Sequence, residues 1–583
     1  MSDRGTLPGA APTPVASATG RAPRPPERRR VLAVGLVVVL VVLGGVANAT
    51  IHPGRAGRGL RLATQSASVV VTNGATSSAW YCAGPLPTGT PGAASSIAVT
   101  NTGSSPVDGE VVVSSTRGGR PSVTHLDVRA GQESVVGLTR HGVRAASAAT
   151  VLVNGSGIAV EEIVHGAGGL SAAPCSDRAV RVAYLAAGST LGANNESLAV
   201  LDPGSTPSVV SLSFATTSGM VAPPPFQGVN IAAGGVAVFD VGHFVPSAPA
   251  VAAVVNATGG RVVAGAAVTA VVGSSVMSSL VGAVATSAPS WLFPAGPTGP
   301  TTASTFAVLD PSDHAATVHL QLASSTTRSE ITAVVPAHGV VHLVPGVDTT
   351  PSALRWASLT SVGANVVAAR ETVLVAAVPT AAERRVLAER AAARRAAAAR
   401  AAASTRRATA RAAAAARSHR RSRTRAPVAS TSTTSTTSEP STTTTVVPYA
   451  VVTKLPAIQP GVAVSSGVSS PSRAWVLPGG ESDAHTSEVV VVDNTSQRRA
   501  TVEVGQLDGA GSGRFGTTPF ASMPRLSIAA GAILTVDLAT IVGEQPALPL
   551  LISASEPVVV GQMLYGRSAP SSGFTLPAAI SVR

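Results

Sequence analysis

Along most of the chain apolar and polar residues alternate over five to seven positions, in runs bounded by Gly, Pro, Asn and Ser. That period marks half-buried antiparallel strands, and several such runs per ~100 residues mark a β-sandwich. The runs recur. Four segments open on an aromatic residue: Trp80-Tyr-Cys-Ala-Gly, Tyr184-Leu-Ala-Ala-Gly, Trp291-Leu-Phe-Pro-Ala-Gly and Trp475-Val-Leu-Pro-Gly. Each leads to a strand closing on Asn101, Asp202, Asp310 or Asp493, where a side-chain carbonyl can bond the backbone two residues on. A second strand follows, then a turn at Gly131, Gly234, His338 or Gly531, then a strand carrying Val160, Val263, Val367 or Val560, 29 residues beyond the turn in every copy. The turns are 103, 104 and 193 residues apart, so the last interval holds one period and an insert.

The expected fold is therefore an all-β ectodomain of four tandem immunoglobulin-like β-sandwich repeats. Their expected limits are 76–177, 180–285, 289–378 and 472–583. The aromatic openings are expected to serve a shared core.

Two stretches break the strand pattern. Val31 to Ala47 is apolar and uncharged, follows Arg28-Arg29-Arg30, and reaches spanning length when extended to Ile51. It predicts a transmembrane anchor over 31–51, a cytoplasmic disordered tail over 1–30 and everything downstream outside the cell membrane. The long leader favours a retained anchor. Ala47-Asn48-Ala49 supports the alternative, secretion after signal-peptide cleavage.

The second break is the insert. Residues 379–425 are rich in Ala and Arg and predict a long helix, without the apolar stripe that a core helix or coiled coil needs. Residues 426–470 read as a Ser/Thr/Pro-rich linker of a type often glycosylated.

Charge changes the picture only once it is located. The net +13 divides into +12 over residues 381–425, +4 over residues 1–30 and −3 over the rest. The insert's fourteen arginines are Arg384, Arg385, Arg390, Arg394, Arg395, Arg400, Arg406, Arg407, Arg411, Arg417, Arg420, Arg421, Arg423 and Arg425. They form either a solvated spacer or a contact for an anionic cell-wall polymer. Nucleic acid is disfavoured, since the segment is expected outside the cell and lacks interleaved aromatics.

Cys82 and Cys175 are the only cysteines and bracket the first repeat, which in an exported domain predicts a disulfide. There is no HExxH, Walker loop, GxSxG elbow or Cys/His metal spacing. No catalytic, cofactor-binding or metal residue is assigned and no cofactor is expected. His319 and His342 are expected to face solvent. The adjacent Glu161 and Glu162 have no matching pair in the second and fourth copies.

The W-Y-C-A-G opening of Trp80 to Gly84, joined to the SIAVTN strand, resembles a domain-of-unknown-function family of actinobacterial single-pass envelope proteins. The resemblance covers about residues 31–378 and 472–583. It implies an exported β-rich region in a cell-wall setting, with no catalytic residues. The expected function is a membrane-anchored, non-catalytic structural or binding protein of the cell envelope. The alternatives are an envelope enzyme or carbohydrate-binding accessory, and a basic adhesin acting through residues 381–425. Its expected partners are the membrane, a wall polymer or glycan, or another envelope protein.

Overall fold

The computed structural model describes residues 68–375 and 460–582, apart from the short segments 72–75, 85–93, 117–119, 139–146, 167, 274, 325–326, 347–352, 484, 508–516, 520–524, 543–544, 546 and 567–572. The expected anchor over 31–51, the helix over 379–425 with its fourteen arginines, and the linker up to 459 lie outside these residues. Among the described residues no helix is long and apolar enough to cross a membrane.

The described chain is nearly all β and forms four units, each with an outer and an inner set of antiparallel strands. In the first, the outer sheet runs Ser78–Cys82, Ser147–Val153, Val107–Ser115, Ser122–Val128, and the inner one Glu133–Gly137, Ala94–Asn101, Ile158–Gly166, Gly169–Pro174. The inner sheet of the second unit runs Val236–Asp240, Asn195–Leu201, Val263–Val272, Ser275–Gly282. That of the third runs Val340–Leu343, Thr302–Leu309, Val367–Leu374, Gly461–Ser466. In the fourth, the 17-residue strand Leu550–Gly566 serves both sets. Its first half pairs with Ser472–Leu477 and Ala500–Leu507, and its second half with Thr486–Asp493 and Gly573–Thr575.

Register corrects the sequence reading at several points. The residue that caps the turn after the first inner strand is Asn101, Asp202, Asp310 and, in the fourth unit, Asn494 rather than Asp493. Their side-chain oxygens accept from the amides of Gly103, Gly204, Ser312 and Ser496 at 2.8 to 3.1 Å. Asp493 is one step earlier and points away from that turn. The 29-residue spacing also conceals a slip. Val263 and Val367 pair with Leu201 and Leu309, directly before the capping residue, whereas Val160 and Val560 pair one step further back, with Val99 and Val492.

The next turn takes a left-handed residue in each unit: Gly131, Gly234, Gly531, and His338 at φ 53°. At His338 the Asp313 carboxylate, 2.8 Å from Nε2, helps hold a conformation that L residues avoid.

Of the four opening aromatics, Trp80, Trp291 and Trp475 are buried. The indoles of Trp291 and Trp475 donate to equivalent carbonyls, Val366 O at 2.8 Å and Val558 O at 3.1 Å. Tyr184 is only half-buried. It bridges Val284 as Tyr81 bridges Ser176, so the second unit carries Ala183 at the tryptophan position. That unit fills its core instead with Phe214, Phe226 and Phe239, Phe226 meeting the other two edge-on with centroids 6.0 and 5.0 Å apart. Trp291→Ala is expected to cost about 3–5 kcal/mol, read as a lower denaturant midpoint, by leaving a cavity; the Val366 carbonyl keeps the Ala288 amide as a partner.

The third unit ends beyond the insert. Gly461–Ser466, expected within the linker, pairs with Val367–Leu374, with Leu374 opposite Gly461. Residues 375–460 therefore interrupt one hairpin of the third unit, rather than separating the third unit from the fourth. The sequence conceals this because GVAVSS is short and lies more than eighty residues beyond the strand it pairs with.

The four inner hairpins meet. Gly169–Pro174 packs on Ser275–Gly282, that on Gly461–Ser466, that on Gly573–Thr575, and the last returns to Gly169–Pro174. The units thus close a ring, 1-2-3-4-1. Hydrogen bonds tie the strands: Leu280 N donates to Ser171 Oγ (2.6 Å), Val464 N to Ser279 Oγ (2.8 Å) and Ala172 N to Thr575 Oγ1 (3.2 Å). Val69–Val70, ahead of the first unit, pairs in parallel with Ser581–Val582 of the fourth and straps the ring shut.

Candidate functional site

Each opening motif ends on, or in the fourth unit just before, a glycine that covers a buried polar side chain. A Cβ on Gly84, Gly188, Gly296 or Gly480 would start less than 3.0 Å from Glu162, Glu196, Arg370 or Glu488 respectively. These four polar groups come from two facing positions of the inner sheet. One position holds Ser95, Glu196, Ser304 and Glu488; the other holds Glu162, Ala266, Arg370 and Gln562. Where both are polar they bond: Ser95 Oγ to Glu162 Oε1 (3.3 Å), Arg370 Nη2 to Ser304 Oγ (3.3 Å) and Gln562 Nε2 to Glu488 Oε1 (2.8 Å). The missing acidic pair of the second and fourth units is thus a shift of the acid to the neighbouring strand. Its sequence signal is a polar residue six positions before the turn-capping Asn or Asp, together with the recurring Gly.

Burial controls these groups. It pushes Glu162 up to about 7, with the Gly84 amide, 3.2 Å from Oε2, drawing it partly back. Glu196 is fully buried, neither carboxylate oxygen has a partner, and burial raises it to about 8.

The loop of each unit presses on the inner sheet of the next, and the seams differ. Between first and second units the contact is apolar, Ala83 packing with Ala199, Leu201 and Val263. Between third and fourth it is charged but balanced. Ala295 N donates to Asp493 Oδ2 (2.7 Å), and Arg370, whose Nη1 donates to Pro294 O (3.1 Å), supplies the countercharge. Burial moves Asp493 up to about 8 and Arg370 down to about 10, and each draws the other partly back. Between fourth and first it is acidic: Gly479 N donates to Glu133 Oε2 (2.8 Å), beside Glu161 and Glu488.

At one end of the ring axis the four inner hairpin turns converge, Gly573 lying against Gly169, Met277 and Gly461. The insert leaves the third unit at that end. At the other end is a cavity of about 110 Å³ walled by all four units, with Pro174, Leu280, Val464 and Pro577 among its lining and Tyr81, Glu162, Asp177 and Arg178 as polar groups. Ser68 also lines it, so the chain enters the ring at the cavity end. Cys82 and Cys175 form a disulfide beside it, joining the two sheets of the first unit.

The histidines do not assemble. His319 meets Thr332 and Glu330, at 3.0 and 3.4 Å, and His338 meets Asp313. His342 is half-buried rather than solvent-facing, and burial lowers its pKa. Among the described residues no three His, Cys, Asp or Glu side chains are placed to hold a metal ion.

No family model matches the chain, and no curated protein does. Among solved structures it is similar to the Streptomyces avermitilis α-L-rhamnosidase complexed with L-rhamnose, at 10% identity and a TM-score of 0.14. The match covers 54% of this chain and 44% of that one, so the chain spans less than half of the enzyme's length. At that score the likeness carries no argument about activity.

Proposed function

We propose that this chain is a non-catalytic scaffold and binding protein of the cell envelope. In this reading residues 31–51 hold it in the membrane and the four units, immunoglobulin-like in plan, stand outside. The observation that carries it is the Cys82–Cys175 disulfide: the chain's only two thiols are cross-linked, as an oxidising compartment favours. A closed ring whose seams bury Glu133, Glu161, Glu488 and Asp493 supports a structural role. A reporter fused after residue 583 is expected to work only as an exported enzyme. Activity restricted to cytoplasmic reporters would overturn the reading.

A second reading, a ligand-binding accessory, is favoured by the axial cavity. A third, the basic adhesin, draws on the insert. If the arginines of 381–425 hold an anionic wall polymer, raising salt from 0.1 to 1 M should release the protein from wall fractions, because the Debye length shrinks from ~10 to ~3 Å. Deleting 381–425 should remove that salt-sensitive binding. Unchanged binding by the deletion variant would make the segment a spacer.

A further inference from the structure

We propose that the seam between the fourth and first units is a pH-operated latch, shut while its carboxyl groups hold protons and released as rising pH removes them.

Three features single out this seam. It is the only one joining units that are not consecutive in sequence, so no direct connection spans it. It is acidic on both sides: Glu133 and Glu161 from the first unit meet Glu481 and Glu488 from the fourth. Among the described residues no arginine or lysine ion-pairs with these carboxylates, whereas Asp493 at the neighbouring seam has the charge of Arg370 nearby. His165 lies 3.5 Å from Glu481 across the seam.

The seam also leaves oxygens without partners. Glu133 Oε2 accepts from Gly479 N and from Thr100 Oγ1 (2.7 Å), and Glu488 Oε1 from Gln562. Glu133 Oε1, Glu161 Oε2 and Glu488 Oε2 are buried with none. A protonated carboxyl tolerates that setting, whereas three anions there would repel each other without water to screen them.

Burial first, and neighbouring carboxylates second, raise all three groups: Glu133 to about 7, Glu488 to about 8, and Glu161 well above its ordinary range. An acid raised in the closed form favours closure fully below its exposed value, ~4.3. That preference is lost as pH climbs through the raised value. Opening therefore releases protons. Between about pH 5 and 7 the opening constant should grow by up to ~10-fold per pH unit for each participating group. The other barriers to opening are the two-residue strap, the hydrogen bond of Ala172 to Thr575, and apolar contacts such as Leu564 with Ile163 and Leu170, so the carboxyl groups bias the seam rather than hold it alone.

The test places dyes on Asp127→Cys and Ser527→Cys, exposed positions on the first and fourth units, in the full chain with its disulfide intact. Energy transfer should fall as pH rises from 5 to 9 while far-ultraviolet circular dichroism stays constant. The logarithm of the opening constant should climb by about 2–3 per pH unit across the lower part of that range. Glu161→Gln with Glu488→Gln should reduce that slope to about 1, and Glu161→Gln alone should reduce it by about 1. Glu196→Gln, away from the seam, should leave it unchanged. Energy transfer constant over the range, a slope unaltered by the glutamines, or loss of β signal along with energy transfer would each overturn the latch.

Discussion

Glu196→Gln should leave stability unchanged near pH 4 and raise it progressively toward pH 8, where the gain reaches up to about 5 kcal/mol. Glutamine matches the shape and neutrality of the protonated acid, so the variant isolates the cost of the proton. In the unfolded chain Glu196 ionises near ~4.3, while in the fold burial holds it to about 8. Across that interval only the unfolded state gains by ionising, at ~1.36 kcal/mol per pH unit, so the parent loses stability as pH rises and then levels off. Denaturant midpoints at pH 4, 6 and 8, with hydrogen exchange of Leu198 to Leu201 reporting on the second unit, read the effect. A gain of equal size at all three values would show that packing, rather than ionisation, separates the two side chains.

Removing the disulfide should shift stability by nearly as much in the opposite direction. Cys82 and Cys175 are 93 positions apart, and by the chain-entropy relation a loop of that length contributes up to ~4–5 kcal/mol. Both residues are core residues, so Cys82→Ala with Cys175→Ala also loses packing. The bond ties the outer first strand to the end of the axial strand Gly169–Pro174, which belongs to two seams. The loss should therefore appear first as faster hydrogen exchange in residues 78–84 and 169–175, and then as a lower denaturant midpoint. Equal midpoints for parent and variant would mean that the inner hairpins hold the first unit without help.

What the sequence disclosed was local. Alternation located the strands, and the recurring turns located four units, because a half-buried strand and a left-handed turn each impose a residue choice at one place. The cysteine pair was legible by count. What it concealed depends on residues far apart. The capping role of Asn494 rather than Asp493 emerges only from pairing with Ala532, and Ala183 standing in for a tryptophan only from the bridge of Tyr184 to Val284. Gly461–Ser466 joins the third unit across more than eighty intervening positions. The buried acids read as unremarkable strand residues until the recurring Gly is seen to lie over each of them. Nothing in the linear pattern signals that the fourth unit returns to the first.

That return governs how the protein is made. Val69 waits for Ser581, more than five hundred positions later, so the strap cannot form until residues 581 and 582 have been made. At ~5–20 residues per second the wait is roughly 25–100 s. During it the first unit exposes the face meant for the fourth, including Glu161 and Ile163, and the third unit lacks its last strand until residue 466 is available. A neighbouring nascent chain offers the same complementary surface, so crowded synthesis sets exchange of fourth units between molecules in competition with closure within one.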